Sequence, residues 1–135
     1  MSEIIVLDTH IWLWLINGNL DQFPIEWCDR VELADRVGVS PVSCYEIALA
    51  QKRGRLELLC SLEEWFQGAL EPAGIELFPL TGQIAACSVN LSPVHKDPFD
   101  RIIIATALIY QAKLASVDGL FSQYAELTDC LMRTA

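Results

Sequence analysis

Four acidic residues that lie far apart along the chain could together hold a divalent metal ion. They are Asp8, Glu46, Asp100 and Asp118. Hard cations such as Mg²⁺ and Mn²⁺ prefer oxygen ligands, and Mg²⁺ binds through a few carboxylates together with water. Carboxylates that meet without a cation repel one another, so such a cluster predicts its ion. Because one or two bound divalent ions promote attack of water on phosphodiesters, the quartet predicts a metal-dependent nuclease.

Each of these acids also has an ordinary structural explanation. Asp8 could cap the helix that follows it, and Asp118 before Gly119 could form a turn. Glu46 could close an S-x-x-E capping box with Ser43. The pair at 40–41, Ser-Pro, is a better helix start, and it would place Glu46 in the second turn beside an apolar face of Val42, Tyr45 and Leu49. A carboxylate beside a buried face needs a partner, and a cation is one solution.

The third position of the quartet has two candidates that are three residues apart. Asp97 precedes Pro98, an arrangement typical of a helix N-cap followed by proline in the first turn. Asp100 falls at the third helical position, where the helix dipole favours a negative charge even without a metal. It also leads into the apolar run 102–105, which would direct it towards the sheet. We therefore predict that Asp97 is the cap and that Asp100 is the metal ligand.

Asp8, Glu46 and Asp100 are predicted to hold the metal, and Asp118 to hold a second metal or orient the attacking water. Hydroxyl groups near the quartet could form hydrogen bonds to a metal-bound water or to a ligand carboxylate and so hold it in place. These candidates are Thr9, Ser43 and Ser116.

Buried strands that alternate with helices predict an α/β fold. Strands are expected at 4–7, 37–39, 75–80 and 114–117, with a fifth at 130–132. Helices are expected from Asp8 to 17–19, and at 25–36, 41–54, 62–73, 82–90 and 99–112. This order implies βαβ crossovers and a three-layer domain, with a mostly parallel central sheet of four to five strands and helices on both faces. Ligands of such sheets bind outside the carboxyl ends of the strands, where the four acids can converge.

Length and composition fit one compact domain spanning 1–135. Hydrophobic residues make up 53% of the chain and charged residues 20%, enough for a sizeable core. No signal peptide or membrane span is evident, so we expect a cytoplasmic protein. Five scattered cysteines without a C-x-x-C motif suggest reduced core thiols. With only His10 and His95 available as histidine ligands, structural zinc is not expected.

The net charge of −9 argues against a nucleic-acid-binding protein, although bound cations would offset the charge of the quartet. Basic residues at 52–55, with Lys96 and Arg101, could contact phosphates or could be ordinary helix-end residues. Trp12 and Trp14 could pack in the core or serve a surface for a partner.

Four spaced motifs together resemble a PIN domain and, more narrowly, the VapC-type toxins of toxin–antitoxin modules. They are V-L-D-T-H (6–10), S-C-Y-E-I-A (43–48), H-K-D-P-F-D-R-I-I-I-A (95–105) and S-V-D-G-L-F (116–121). The resemblance implies an endoribonuclease dependent on Mg²⁺ or Mn²⁺, whose acidic quartet maps onto Asp8, Glu46, Asp100 and Asp118. It also implies a homodimer, an RNA substrate and a VapB-type antitoxin that covers the site.

Other functions fit parts of the pattern. An RNA-processing PIN nuclease that is not a toxin is one alternative, and a catalytically silent PIN fold that only binds is another. A phosphoryl-transfer domain also places an aspartate after its first strand. A haloacid-dehalogenase-like domain would need D-x-D, whereas the residue two after Asp8 is His10. A receiver domain would need a paired acid and a late lysine, and neither is evident.

Overall fold

A four-stranded, fully parallel sheet lies at the centre of the computed structural model, which describes residues 3–133. The strands are β1 (Ile4–Leu7), β2 (Arg36–Val39), β3 (Glu76–Leu77) and β4 (Lys113–Ala115). Their order across the sheet is β3-β2-β1-β4, so β1 has a neighbour on each side. β1, the strand that Asp8 follows, is therefore an inner strand of the sheet.

In the described part of the chain, six helices connect the strands. They are α1 (Thr9–Asn17), α2 (Glu26–Leu33), α3 (Pro41–Lys52), α4 (Leu62–Ala69), α5 (Gly82–Val89) and α6 (Pro98–Ile109). Short 3-10 turns at Gly119–Gln123 and Ala125–Leu127 follow β4. The parallel sheet with helical crossovers confirms the predicted α/β class.

Both faces of the sheet are covered because β1 is apolar on each side. Ile5 and Leu7 belong to one buried cluster, which includes Trp12 of α1. Val6 points the other way and joins a second cluster that includes Ile103 of α6. A strand buried on two sides reads as a continuous apolar run, as 4–7 does. The helices therefore form a layer on each side of the sheet, as expected.

The predicted helix starts at Ser40-Pro41 and Asp97-Pro98 fix where Glu46 and Asp97 lie in their helices. The Ser40 hydroxyl accepts a hydrogen bond from the Val42 N–H at 3.3 Å, so α3 begins where Ser-Pro predicted. The Asp97 carboxylate accepts from the Phe99 N–H at 2.9 Å and caps α6. Asp97 is thus a helix cap, as predicted.

Three predicted strands are shorter than expected. The strand at 114–117 is reduced to β4, which ends at Ala115. The strand at 75–80 is reduced to β3, because Pro79 has no N–H to donate beyond it. The fifth strand at 130–132 is only a single bridge between Leu131 and Leu114. The Cys130 N–H donates back to Leu127 instead of extending the ladder along β4, so the described sheet has four strands.

One predicted helix is also shorter than expected. The helix at 62–73 ends at Ala69, and a separate 3-10 turn, Glu71–Ala73, follows it.

All five cysteines are unpaired, as expected; four of them are half-buried and pack against the two core clusters, whereas Cys60 is exposed and is not a core thiol. Within residues 3–133, no helix is both long enough and apolar enough to span a bilayer.

Candidate metal centre

The four predicted acids line one cavity of about 390 Å³ at the carboxyl ends of β1 and β4. Each comes from a different part of the chain: Asp8 from the end of β1, Glu46 from α3, Asp100 from α6 and Asp118 from beyond β4. The tertiary fold thus brings together acids that are separated by 18 or more residues. This is the edge of the sheet at which a ligand site was predicted.

Asp8 caps α1 and also borders the cavity, so its two predicted roles coexist. Its Oδ1 accepts from the Thr9 N–H at 2.9 Å, and its Oδ2 accepts from the Ser116 hydroxyl at 2.7 Å. The residue is only 8% exposed. Burial raises the pKa of the Asp8 carboxyl, and these two hydrogen bonds oppose that effect.

Glu46 is held by a chain of hydroxyl groups. Its Oε1 accepts from the Thr9 hydroxyl at 2.5 Å, and Thr9 Oγ1 also lies 2.8 Å from Ser43 Oγ. Burial raises the pKa of Glu46, and the charges of Asp8 and Asp97 add to the rise. The Thr9 and Ser43 hydroxyls therefore stand beside the quartet, in the places where support was predicted.

The environment of Glu46 differs from the predicted one in one respect. Tyr45 was expected on the buried face, but its side chain is 54% exposed. The buried side chains of α3 are those of Val42, Ser43 and Ile47. Positions 43 and 47 are one helical turn apart and face the core, which leaves Tyr45 outside.

Asp100 is the acid whose protonation the fold changes most clearly. Burial raises its pKa to about 6; His95 opposes the rise, and the charges of Asp8 and Glu46 reinforce it. Asp97 is exposed, and its carboxylate accepts a hydrogen bond from the Phe99 N–H in its own helix cap. The geometry therefore favours Asp100 over Asp97 as the third member of the cluster.

A histidine that the sequence analysis left without a role completes the cluster. His95 Nε2 lies 3.1 Å from Asp118 Oδ2 and 3.9 Å from Asp100 Oδ2. Ligand atoms of these three residues lie within 4.8 Å of one another. The signal was present in the H-K-D-P-F-D-R segment, where His95 precedes the Asp-Pro helix start.

The His95 ring is oriented by Tyr124, which is 1% exposed. The Tyr124 hydroxyl accepts from the His95 backbone N–H at 3.0 Å and lies 2.9 Å from Nδ1. A hydroxyl that donates its own proton to Nδ1 satisfies both groups and leaves the proton of a neutral imidazole on Nε2. Nε2–H then donates to Asp118, whose other oxygen accepts from the Leu120 N–H at 2.9 Å.

These residues fit a hard divalent cation. The cavity presents four carboxylates, and three of them, Asp8, Glu46 and Asp100, have a raised pKa because burial disfavours their charge. Within residues 3–133, no lysine or arginine lines this cavity to neutralise them. A cation bound by carboxylate oxygens would relieve both the burial cost and the mutual repulsion.

One of the basic residues considered for phosphate contact is fully engaged elsewhere. The Arg101 guanidinium donates to backbone carbonyls between Ser88 and His95, including those of Leu91 and Ser92, each at 2.9 Å. Arg101 thus fixes the loop that presents His95, and a contact with phosphate would have to replace some of these hydrogen bonds. The basic residues at 52–55 and Lys96 remain candidates.

Comparisons with known proteins agree with this fold. Residues 5–127 match the model of the PIN domain. Ribonuclease VapC22 of Mycobacterium tuberculosis is 28% identical over 115 residues, which cover 84% of this chain and 86% of that protein. The structure of VapBC2 from Rickettsia felis bound to a DNA fragment from its promoter has a TM-score of 0.67 at 18% identity, covering 96% of this chain and 97% of that chain. A toxin–antitoxin complex from Klebsiella pneumoniae has a TM-score of 0.63 at 20% identity, with 97% and 98% coverage.

Proposed function

This chain belongs to the PIN domain family, and from that premise we propose that it is a metal-dependent endoribonuclease, the toxin of a VapBC-type toxin–antitoxin module. The observation that carries the proposal is the convergence of four carboxylates from four elements on one cavity. A relative that bears the name ribonuclease and solved relatives in toxin–antitoxin complexes support it.

In this proposal Asp8, Glu46 and Asp100 hold Mg²⁺ or Mn²⁺, and Asp118 holds a second ion or orients the attacking water. A divalent ion bound there would supply an activated water and offset charge on the phosphoryl oxygens. The residues of the chain itself keep the carboxylates in place. Each carboxylate oxygen can accept more than one hydrogen bond, so Asp8 retains acceptor sites despite its bonds to Thr9 and Ser116.

His95 acts in this scheme as a positioning residue for Asp118. Because Tyr124 sets the ring orientation, Nε2–H donates to Asp118 Oδ2 and helps to hold this carboxylate at the cavity. Groups that support metal ligands from behind typically contribute tenfold to a hundredfold in affinity or activity.

His95→Ala is therefore expected to lower Mn²⁺ affinity and the cleavage rate by roughly 10- to 100-fold. His95→Gln is expected to recover part of the loss, since its amide N–H can replace Nε2–H. Calorimetric titration with Mn²⁺ and a cleavage assay, run on both variants, measure the two effects. Equal values for wild type, His95→Ala and His95→Gln would show that the bond to Asp118 has no such role.

The direct test of the proposed function uses the purified full-length chain and labelled RNA. We expect cleavage with Mg²⁺ or Mn²⁺, loss of cleavage with a chelator, and no cleavage by Asp8→Asn under any condition. Intact RNA after incubation of wild type with either ion would contradict the proposal.

The proposed partners are a second copy of the chain and a VapB-type antitoxin, with cytoplasmic RNA as the substrate. Expression of the chain alone is expected to arrest growth, and co-expression of an antitoxin encoded beside it is expected to restore growth. RNA cleavage in vitro without any growth arrest would instead favour an RNA-processing nuclease that is not a toxin.

A further inference from the structure

Two aromatic rings on α1 line the same cavity as the four carboxylates. His10 and Trp14 are one helical turn apart, with ring centroids 5.4 Å apart and planes at 39°. His10 is exposed, whereas Trp14 is half-buried and packs against the core cluster. The pair, called here the aromatic platform, therefore has an accessible ring supported by a ring that the fold holds in place.

The negative charge of the cavity bears on how the platform could contact RNA. The described part of the chain places no lysine or arginine in the cavity wall, and the whole chain carries a net charge of −9. Bound cations could attract the phosphate that reacts, but inside the cavity no lysine or arginine of residues 3–133 meets the nucleotide next to it. Contacts that need no charge, such as stacking of bases on aromatic rings, can hold that nucleotide there.

One apolar side chain extends the platform. Val117 lines the cavity together with Trp14 and is 38% exposed. A base in a duplex is covered on both faces by its neighbours, so only an unpaired base can stack on such a surface. Because Trp14 is already packed, little side-chain entropy is lost when a base stacks.

We infer that His10 and Trp14 form a subsite that stacks an unpaired RNA base beside the phosphate to be cleaved. The inference rests on the proposed function and adds the residues that would contact the nucleotide beside the scissile phosphate. Every base has an aromatic face, so the subsite accepts different bases and selects for unpaired structure.

The test measures RNA binding without cleavage. In an Asp100→Asn background, a fluorescein-labelled single-stranded oligoadenylate is titrated with protein in Mn²⁺ and followed by anisotropy. His10→Ala is expected to weaken binding by roughly 5- to 150-fold, the range for loss of one base–aromatic stack. His10→Tyr is expected to bind as well as the parent because it keeps an aromatic face.

A matched control is Tyr45→Ala, which removes an exposed aromatic ring that does not line the cavity. This variant is expected to bind the oligonucleotide like the parent, and an oligonucleotide with abasic riboses is expected to bind His10→Ala and the parent equally. Circular dichroism confirms that the variants are folded.

The platform is refuted if His10→Ala binds oligoadenylate like the parent, or if Tyr45→Ala weakens binding as much. These outcomes are independent of catalysis: wild type that cuts no RNA while His10→Ala shows the expected loss would refute the nuclease and retain the subsite. If wild type cleaves RNA and His10→Ala binds oligoadenylate as tightly as the parent does, the nuclease is retained and the subsite is refuted.

Discussion

Asp100→Asn is expected to reduce RNA cleavage by about 10²- to 10⁴-fold, whereas Asp97→Asn keeps most of it. Loss of a metal ligand removes several kcal/mol of transition-state stabilisation, and each 1.36 kcal/mol is a factor of ten in rate. Asp100 lies in the cavity with the other acids, while Asp97 is outside its lining. Initial rates in saturating Mn²⁺ measure the difference.

Asp97→Asn is a close control for this experiment. It changes the same residue type three positions away in the same helix turn, and asparagine caps helices about as well as aspartate. Among residues 3–133, the Asp97 carboxylate accepts only from the Phe99 N–H of its own cap, so the fold should be retained. Full activity of Asp100→Asn together with an inactive Asp97→Asn would assign the third position to Asp97 instead.

The second large effect concerns stability without divalent ions. The pKa of Asp100 rises from 3.8 to about 6 on folding, so its ionised form is disfavoured in the folded state. The resulting cost is present above pH 6, falls as the pH drops through 6, and is gone below the unfolded pKa. At pH 7 the cost is about 1 to 3 kcal/mol, reduced by partial exposure of the carboxylate.

Urea unfolding in the presence of a chelator is therefore expected to show a larger free energy of unfolding at pH 5 than at pH 7. Asp8 and Glu46 shift in the same direction because burial also raises their pKa values. Asp100→Asn is expected to be more stable than wild type at pH 7 and to show less gain on acidification. That comparison separates Asp100 from the general relief of net charge.

Divalent ions are expected to reverse this dependence. Mn²⁺ that binds only the folded chain stabilises it at pH 7, and protons compete with the ion at pH 5. Thermal unfolding with Mn²⁺ and with chelator, at both pH values, measures the change. Without metal, the free energy of unfolding could instead stay constant between pH 5 and 7 in both wild type and Asp100→Asn. That result would contradict burial as the cause of the raised pKa of Asp100.

The sequence by itself determined the elements that depend on local rules. The apolar run at 4–7 predicted a strand buried on both faces, and Ser-Pro at 40–41 and Asp-Pro at 97–98 marked the helix starts. Because parallel strands end at one sheet edge, the positions of Asp8 and Asp118 after their strands sufficed to predict a shared site. Helix-cap geometry separated Asp97 from Asp100 for the same local reason.

Tertiary structure alone decided the contacts between residues distant in sequence. His95 meets Asp118 and Tyr124 across 23 and 29 residues, and no local pattern encodes such pairs. The burial that raises the pKa of Asp100 likewise comes from elements elsewhere in the chain. The engagement of Arg101 and the loss of a fifth strand follow from competition for backbone hydrogen bonds, which is settled only when the whole chain packs.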